Sequence, residues 1–456
     1  MTSARLFGTD GVRGVANMDP MTAEMVLEIG RAIAYVCKHQ PDGHRHRILI
    51  GKDTRVSGYM LENALTAGIC SMGVDVLLVG PMPTPGIAFL TQSMRADAGV
   101  VISASHNPYQ DNGIKIFARD GYKLPDAEEN AIEALITSGQ IRGVRPTAED
   151  IGKAQRIEDA AGRYIEFCKR TFPDDLTLEG IKLVLDCANG AAYKVAPTIF
   201  SELGAELTVI HNQPDGTNIN AGCGSLHPQD LVDTVREVGA DAGLAFDGDG
   251  DRLTAVDAHG EVLTGDHLLA ICAKQYLERG GLRHRRVVTT VMSNFGLYQA
   301  LDGMGIGYDA TQVGDRYVLE QMRATGAVVG GESSGHLIFL NHHTTGDGII
   351  AALQVLAAMR SAGRPLAELA AVMTEAPQEI VNVAVSAKPP LEAMAELQQA
   401  VRAAEAELDG HGRVLIRYSG TQPLCRVMVE GTDAAQVARL ARHLASAVEE
   451  AIEQAA

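Results

Sequence analysis

DAGLAFDGDGDR, residues 241–252, decides the fold class and points to the chemistry. Ala242–Phe246 is an uninterrupted apolar run of strand length, and it ends on three carboxylates, Asp247, Asp249 and Asp251, spaced by glycines. A strand apolar on both faces is the kind buried in a parallel sheet, with helices packed on either side. Two carboxylates roughly 4 Å apart, at an effective dielectric near 20, repel by about 4 kcal/mol. Three of them at the end of a buried strand therefore call for a hard divalent cation with oxygen ligands, Mg²⁺ first. A calcium-binding EF-hand loop does not fit, because Arg252 and Ala258 stand where Gly and Glu are required. A solvated acidic turn is the competing reading, and the apolar run in front of it argues against free solvation.

Outward from this stretch, the same pattern recurs. DAGVVISAS (Asp97–Ser105) aligns with DAGLAFDGD (Asp241–Asp249) without a gap, and ATGAVVGGESS (Ala324–Ser334) is a looser copy. Each reads as a helix end, a buried strand and a small polar loop. Such loops lie at the carboxyl ends of strands, where open α/β sheets bind ligands. Further strand-length apolar runs occur at Arg47–Asp53, Val74–Gly80, Ile181–Gly190, Glu206–Ile210 and Arg285–Asn294. Between them lie segments of helical period such as Thr22–His39, Tyr59–Met72 and Gln229–Val238. The expectation is an α/β protein: three related units with mixed, mostly parallel sheets. The last eighty or so residues differ, with Val381–Ala387, Arg413–Gly420 and Cys425–Gly431 interleaved with helical Leu391–Leu408 and Ala434–Gln454. They read as a smaller α+β domain, and other joints are expected near residues 150–160 and 255–260.

Composition bounds the function. The chain has 456 residues, 46% of them apolar and 21% charged, which excludes disordered, collagenous and coiled-coil classes. The net charge of −18 speaks against a nonspecific nucleic-acid binder. Seven scattered cysteines without a CxxC pair read as buried thiols of a reducing compartment. The N-terminus has no apolar signal stretch, and the longest uncharged apolar run, Gly348–Met359, is too short to span a bilayer. A soluble cytoplasmic protein without nucleic-acid or membrane partners is expected.

Three more segments carry candidate chemistry. ISASHNPYQDNGIK (Ile102–Lys115) presents Ser105 at a strand end; a serine hydroxyl is a weak nucleophile unless a base or metal assists it. An ordinary strand-to-turn exit would look similar, and adjacency alone does not bring His106 within reach. GGESSGH (Gly330–His336) offers Glu332, Ser334 and His336 to sugar hydroxyls. It also matches G-x-S-x-G around Ser333, with Asp347 and His411 in the chain order of a hydrolase triad. RYSGTQPLCR (Arg417–Arg426) gathers arginines, hydroxyls and a glycine turn suited to a phosphate. GTDGVRG (Gly8–Gly14) adds a glycine-rich turn with Arg13. There is no P-loop, zinc helix or dinucleotide turn, and His39, His44 and His46 read as surface residues of a polar connector.

SASHNP, DGDGDR, GESSGH and RYSGT, in this order and spacing, resemble the α-D-phosphohexomutase superfamily over essentially the whole chain. FGTDGVRG, VGDRYV (Val313–Val318) and TGDGI (Thr345–Ile349) are similar to the branch that interconverts glucosamine 6- and 1-phosphates for amino-sugar and cell-wall precursors. The resemblance implies four domains around a cleft, at residues 1–153, 154–255, 256–372 and 373–456. It implies that Ser105 is the phosphorylated serine and that Asp247, Asp249 and Asp251, with a phosphoserine oxygen, hold one Mg²⁺. It further implies that Arg13, His106, Lys115 and Arg252 line the transfer site, with Lys115 a candidate general acid/base. Glu332, Ser334 and His336 would read the sugar, with Asp315 and Arg316 in support. Arg417, Ser419, Gly420, Thr421 and Arg426 would grip its phosphate. A hexosamine bisphosphate would serve as intermediate and activator, turning end for end as the C-terminal domain hinges, and a homodimer is implied as possible. Ser333 and Gln422 stand where relatives often carry other residues, which bears on hexose preference. The same chemistry on mannose or glucose phosphates, and a serine hydrolase using Ser333, are the alternatives.

Overall fold

The computed structural model describes residues 6–8, 11–38, 45–419 and 423–455. It comprises two compact units, Met1–Val291 with Gly307–Ala371, and Met292–Ile306 with Val372–Ala456.

The larger unit contains three mixed sheets, each parallel at its centre. The first orders its strands Val12–Val15, Asp111–Ala118, Ala98–Ile102, Arg47–Lys52, Asp75–Pro81 and Ala154–Arg156. The second runs Val262–Leu263, Leu253–Asp257, Ala242–Phe246, Lys182–Asp186 and Glu206–Ile210. The third runs Gly307–Thr311, Arg286–Thr290, Val329–Gly331 and Leu337–Phe339. The three repeated segments occupy the same place in the three sheets. Ala98–Ile102, Ala242–Phe246 and Val329–Gly331 each pair in parallel on one side, then turn through a loop into an antiparallel partner. The loops 103–110, 247–252 and 332–336 are those turns, so one topological device sets all three.

The strands are buried as their composition requires. Val100, Leu244 and Val329 are all at 0% exposure, and each such side chain stabilises the fold by about 1.5–3 kcal/mol. The apolar run beginning at Gly348 forms the helix Gly348–Ala362, buried from Gly348 to Met359. Asp347 caps it, accepting from the amides of Ile349 at 2.9 Å and Ile350 at 3.0 Å. Among the described residues, no helix is long and apolar enough to cross a membrane. All seven cysteines are free, and all but Cys70 are buried.

The smaller unit carries an antiparallel sheet ordered Gln378–Ala384, Leu424–Gly431 and Gly412–Tyr418. The helices Ala395–Leu408 and Ala434–Ala455 cover it, and Leu397, Leu408, Leu440 and Leu444 share one core with Val427 and Val429.

One expectation from local sequence is corrected. His46 is not a surface residue: it is 8% exposed, with Nδ1 3.4 Å from Asp97 Oδ2. A tertiary partner far along the chain overrides the polar character of its neighbours. His39 and His44 lie outside the described residues.

Candidate active site

Ser105 leaves its strand in a left-handed conformation, φ +52°, which costs a non-glycine residue roughly 1–2 kcal/mol. Its neighbours hold it there. Its amide donates to Ser103 Oγ at 2.9 Å, and its carbonyl accepts from Asn220 Nδ2 at 2.9 Å and Arg55 Nη2 at 3.2 Å. Arg55, fully buried, also donates to the Asn107 carbonyl at 2.6 Å and pairs with buried Asp53. Thus clamped, the Ser105 hydroxyl donates to Asp247 Oδ2 at 2.7 Å and lies 3.3 Å from His106 Nδ1. His106 is within reach after all.

Asp247, Asp249 and Asp251 are all buried, each offering an oxygen within 4.8 Å of the others. Main-chain bonds from surrounding segments fix their loop. The amides of Thr84, Ala191 and Gly348 donate to the carbonyls of Asp249 (2.9 Å), Gly248 (2.8 Å) and Gly250 (3.1 Å). A Cβ on Gly248 would lie 2.6 Å from the Ser105 carbonyl oxygen, so only glycine lets the serine and aspartate loops approach this closely.

Several carboxylate oxygens are satisfied. Asp249 Oδ2 accepts from Thr84 Oγ1 at 2.7 Å and Lys115 Nζ at 3.0 Å. Asp247 Oδ1 accepts from the amides of Asp251 and Arg252. The buried Oδ1 atoms of Asp249 and Asp251, however, have no hydrogen-bond partner among the described residues. Buried carboxylate oxygens left unmatched beside like charges fit a hard divalent cation. Burial and the charges of Asp251 and Asp249 push the Asp247 carboxyl well above its ordinary range. Burial also acts against ionised Asp249, but the Lys115 charge and hydrogen bonds from Thr84 and Lys115 outweigh it and hold the group low. Lys115 lies 3.8 Å from Asp251 as well.

The third loop closes the site. The Leu253 amide donates to the Gly335 carbonyl at 3.0 Å, joining the loop to the strand that leaves DGDGDR. Buried His336 places Nδ1 3.6 Å from Asp251 and Nε2 3.9 Å from Asp315. Burial disfavours its charge, but Asp251, Asp315 and Glu332 raise its pKa to about 9. Glu332 accepts from the Gly314 amide at 3.0 Å. Ser334 is exposed and Ser333 half-buried. Asp315 pairs with Lys123 at 2.6 Å, and Arg316 with Asp126 and Glu320. Arg13, Ser105, His106, Arg252, Glu332 and His336 face one cavity of about 680 Å³. Burial, then Arg252 and Arg13, lower the pKa of His106 to about 4. The hydrolase triad finds no support here: the Asp347 carboxylate is used as a helix cap and as acceptor from Tyr164 Oη at 2.7 Å.

In the smaller unit, Arg417 and Arg426 are register partners on adjacent strands. Both line a pocket of about 340 Å³, with Asn382, Leu415 and Met428. Burial, then Arg426, lower the pKa of Arg417, and the buried Arg426 Nε has no partner among the described residues. Two guanidinium groups side by side, with no carboxylate lining the pocket among the described residues, suit an oxyanion. The Ser419 carbonyl accepts from Lys388 Nζ at 2.5 Å, while Gly420 and Thr421 lie outside the described residues.

Sequence reasoning missed Asp53, Arg55, Thr84, Asn220 and Lys388. The charged KDTR following an apolar run (Lys52–Arg55) was a usable signal; nothing local marks Asn220.

The fold and site are similar to known proteins throughout. Profiles of the phosphoglucomutase/phosphomannomutase family match residues 4–142 (alpha/beta/alpha domain I), 162–260 (domain II), 264–376 (domain III) and 380–447 (C-terminal domain). The phosphoglucosamine mutase of Syntrophotalea carbinolica is 58% identical over 445 residues, 98% of this chain and 97% of that protein. That of Geobacter sp. strain M21 is 59% identical over 446 residues, covering 98% of both. A phosphoglucomutase/phosphomannomutase family protein from Burkholderia thailandensis superposes with a TM-score of 0.81 at 26% identity, covering 99% of this chain and 98% of that one. The Aspergillus fumigatus N-acetylphosphoglucosamine mutase, solved with GlcNAc-6P and magnesium, shares the fold at TM-score 0.67 and 16% identity, covering 98% and 96%.

Proposed function

Because the chain belongs to the phosphoglucosamine mutases of the phosphoglucomutase/phosphomannomutase family, we propose that it interconverts glucosamine 6-phosphate and glucosamine 1-phosphate. Ser105 is the phosphoryl carrier in this reading, and a hexosamine bisphosphate is the intermediate and activator. The observation that carries it is the Ser105 hydroxyl held 2.7 Å from Asp247, beside two buried carboxylate oxygens that lack partners.

Phosphoryl transfer asks a protein to position groups and to balance charge. A phosphate on Ser105 adds close to two negative charges beside three aspartates. Asp247, Asp249 and Asp251 would hold Mg²⁺, which when bound neutralises charge on the phosphoryl oxygens and makes phosphorus more electrophilic. Arg13, Arg252 and Lys115 supply the remaining positive charge. A sugar hydroxyl attacks phosphorus, the new O–P bond forms, and the bond to Ser105 Oγ breaks. His106, kept neutral by its surroundings, is the group available to take the hydroxyl proton, and Lys115, held against Asp249, the group available to give one to the departing Ser105 Oγ. Protonated His336 and Glu332, with Ser334, orient the sugar hydroxyls; Asp315 faces His336, and Asp315 and Arg316 are themselves paired with Lys123 and Asp126. Arg417, Arg426 and Ser419 take a phosphate in the smaller unit.

Intact-mass and peptide mapping of purified protein, coupled to glucosamine-phosphate turnover, tests this. A phosphoryl group on Ser105 that exchanges with substrate is expected. Turnover with that serine never modified would overturn the reading. Comparing kcat/KM for glucosamine, glucose and mannose phosphates tests the hexose preference, with glucosamine expected to lead.

A further inference from the structure

One and two strands along the second sheet from the strand that leads into DGDGDR, another cluster of ligating atoms closes on itself. Asp186 ends the strand Lys182–Asp186, and His211 follows its parallel neighbour Glu206–Ile210, in which Ile210 is the register partner of Asp186. Cys223 reaches the same place from the loop that returns toward Ala242–Phe246. Asp186, His211 and Cys223 each offer one ligand atom within 4.8 Å of the others. Asp186 and Cys223 are buried, whereas the His211 side chain is 25% exposed and opens a way in from solvent.

We propose that Asp186, His211 and Cys223 form a second metal site, for a transition-metal ion of the zinc type, separate from the three aspartates. His211 Nδ1 lies 3.1 Å from Asp186 Oδ2, yet this buried nitrogen makes no hydrogen bond of good geometry. Oxygen and nitrogen ligands about 2.0–2.1 Å from a tetrahedral zinc sit roughly 3.3 Å apart, so this pair already spans one edge of the coordination sphere. The outer groups are arranged to match. Each Asp186 oxygen accepts one amide, from Ala188 and Gly224, both at 2.8 Å, which fixes the carboxylate plane. His211 Nε2 faces Asp230 Oδ2 at 3.2 Å, the carboxylate that would orient the imidazole of a metal ligand.

The donor set decides the metal. One oxygen, one nitrogen and one sulfur suit zinc with a water as fourth ligand and do not suit Mg²⁺, which takes oxygen. A thiolate and a carboxylate balance a divalent charge. Burial, with Asp186 and Asp230, holds the Cys223 thiol near 12, so zinc must displace its proton. The loop that carries Cys223 also carries Asn220. Asn220, three residues before Cys223, donates its main-chain amide to the Ala188 carbonyl at 2.9 Å and its side chain to the Ser105 carbonyl.

The test titrates Zn²⁺, in the presence of excess Mg²⁺, into the full chain, its Asp249→Asn form, and the variants His211→Ala and Cys223→Ser. One zinc per chain is expected in the first two, with zinc–sulfur scattering in X-ray absorption and Cys223 shielded from alkylation. At least tenfold weaker binding is expected in each of the other two, with mutase turnover retained. Zinc that binds unchanged in His211→Ala, zinc lost in Asp249→Asn alone, or no zinc bound at all would each overturn the proposal. Should Cys223→Ser fold poorly, the part-exposed His211→Ala carries the comparison.

Discussion

The Ser105 hydroxyl and the Asp247 carboxylate, on loops of two different sheets, meet at 2.7 Å. That bond joins the serine loop to the aspartate loop, and its removal should be felt in chemistry more than in folding. In Ser105→Ala, turnover should fall by about a thousandfold or more, and the protein should carry no exchangeable phosphoryl group in intact-mass spectra. Ser333→Ala should keep most activity. Activity lost only in Ser333→Ala would revive the hydrolase.

Removal of the cation by a chelator should silence turnover reversibly. Asp249→Asn should lower kcat by about 10²–10³-fold and raise the Mg²⁺ concentration needed for half-maximal rate. Steady-state rates across an Mg²⁺ series check both.

Arg55 holds the Ser105 and Asn107 carbonyls while paired with Asp53, and both side chains are fully buried. Arg55→Met leaves the buried Asp53 carboxylate without its counter-charge, which costs about 3–5 kcal/mol. The double variant Asp53→Asn/Arg55→Met should recover part of that in thermal melts, because no charge is stranded. Its kcat should stay low, since the Ser105 backbone has lost its clamp.

His343 is buried, with Nε2 2.9 Å from the Pro85 carbonyl and its ring edge-on to Phe167. Burial, against the Pro85 bond, lowers its pKa from 6.5 to about 4. A lowered histidine keeps its full contribution above its unfolded pKa and loses it as pH falls through the folded one. Stability should therefore drop between about pH 6.5 and pH 4 by about 3 kcal/mol from this group. His343→Gln should flatten the slope in denaturant melts at each pH. An unchanged slope would locate the acid sensitivity elsewhere.

Arg417→Ala should raise KM for the sugar phosphate by about tenfold with a smaller change in kcat, because the guanidinium contributes ground-state binding of phosphate. An equal fall in kcat and kcat/KM would assign it to the transferring group instead.

Much of this was legible in the sequence where the signal is local. An apolar run ending in alternating Asp and Gly reads more readily as a buried strand meeting a tight turn than as a solvated acidic turn, so Asp247, Asp249 and Asp251 could be read as a cation site. The alignment of Asp97–Ser105 with Asp241–Asp249 anticipated two loops in equivalent positions, and the sheets show them so. Long-range partners were not legible. Nothing around Asn220 announces that it holds Ser105, and His46 looks solvated until Asp97 is brought beside it. Asp347 suited a triad by chain order, while in the fold its Oδ1 caps a buried helix and its Oδ2 accepts from Tyr164 in another part of the chain.

The aspartate loop is tied through its own peptide groups to Thr84, Ala191 and Gly348. A ring anchored on so many sides cannot widen to suit a larger guest. Calcium, which wants ligands at about 2.3–2.6 Å, should be turned away in favour of magnesium at about 2.0–2.1 Å. Stiffness of the polypeptide, more than any difference in charge, would then make the enzyme choosy about ionic radius.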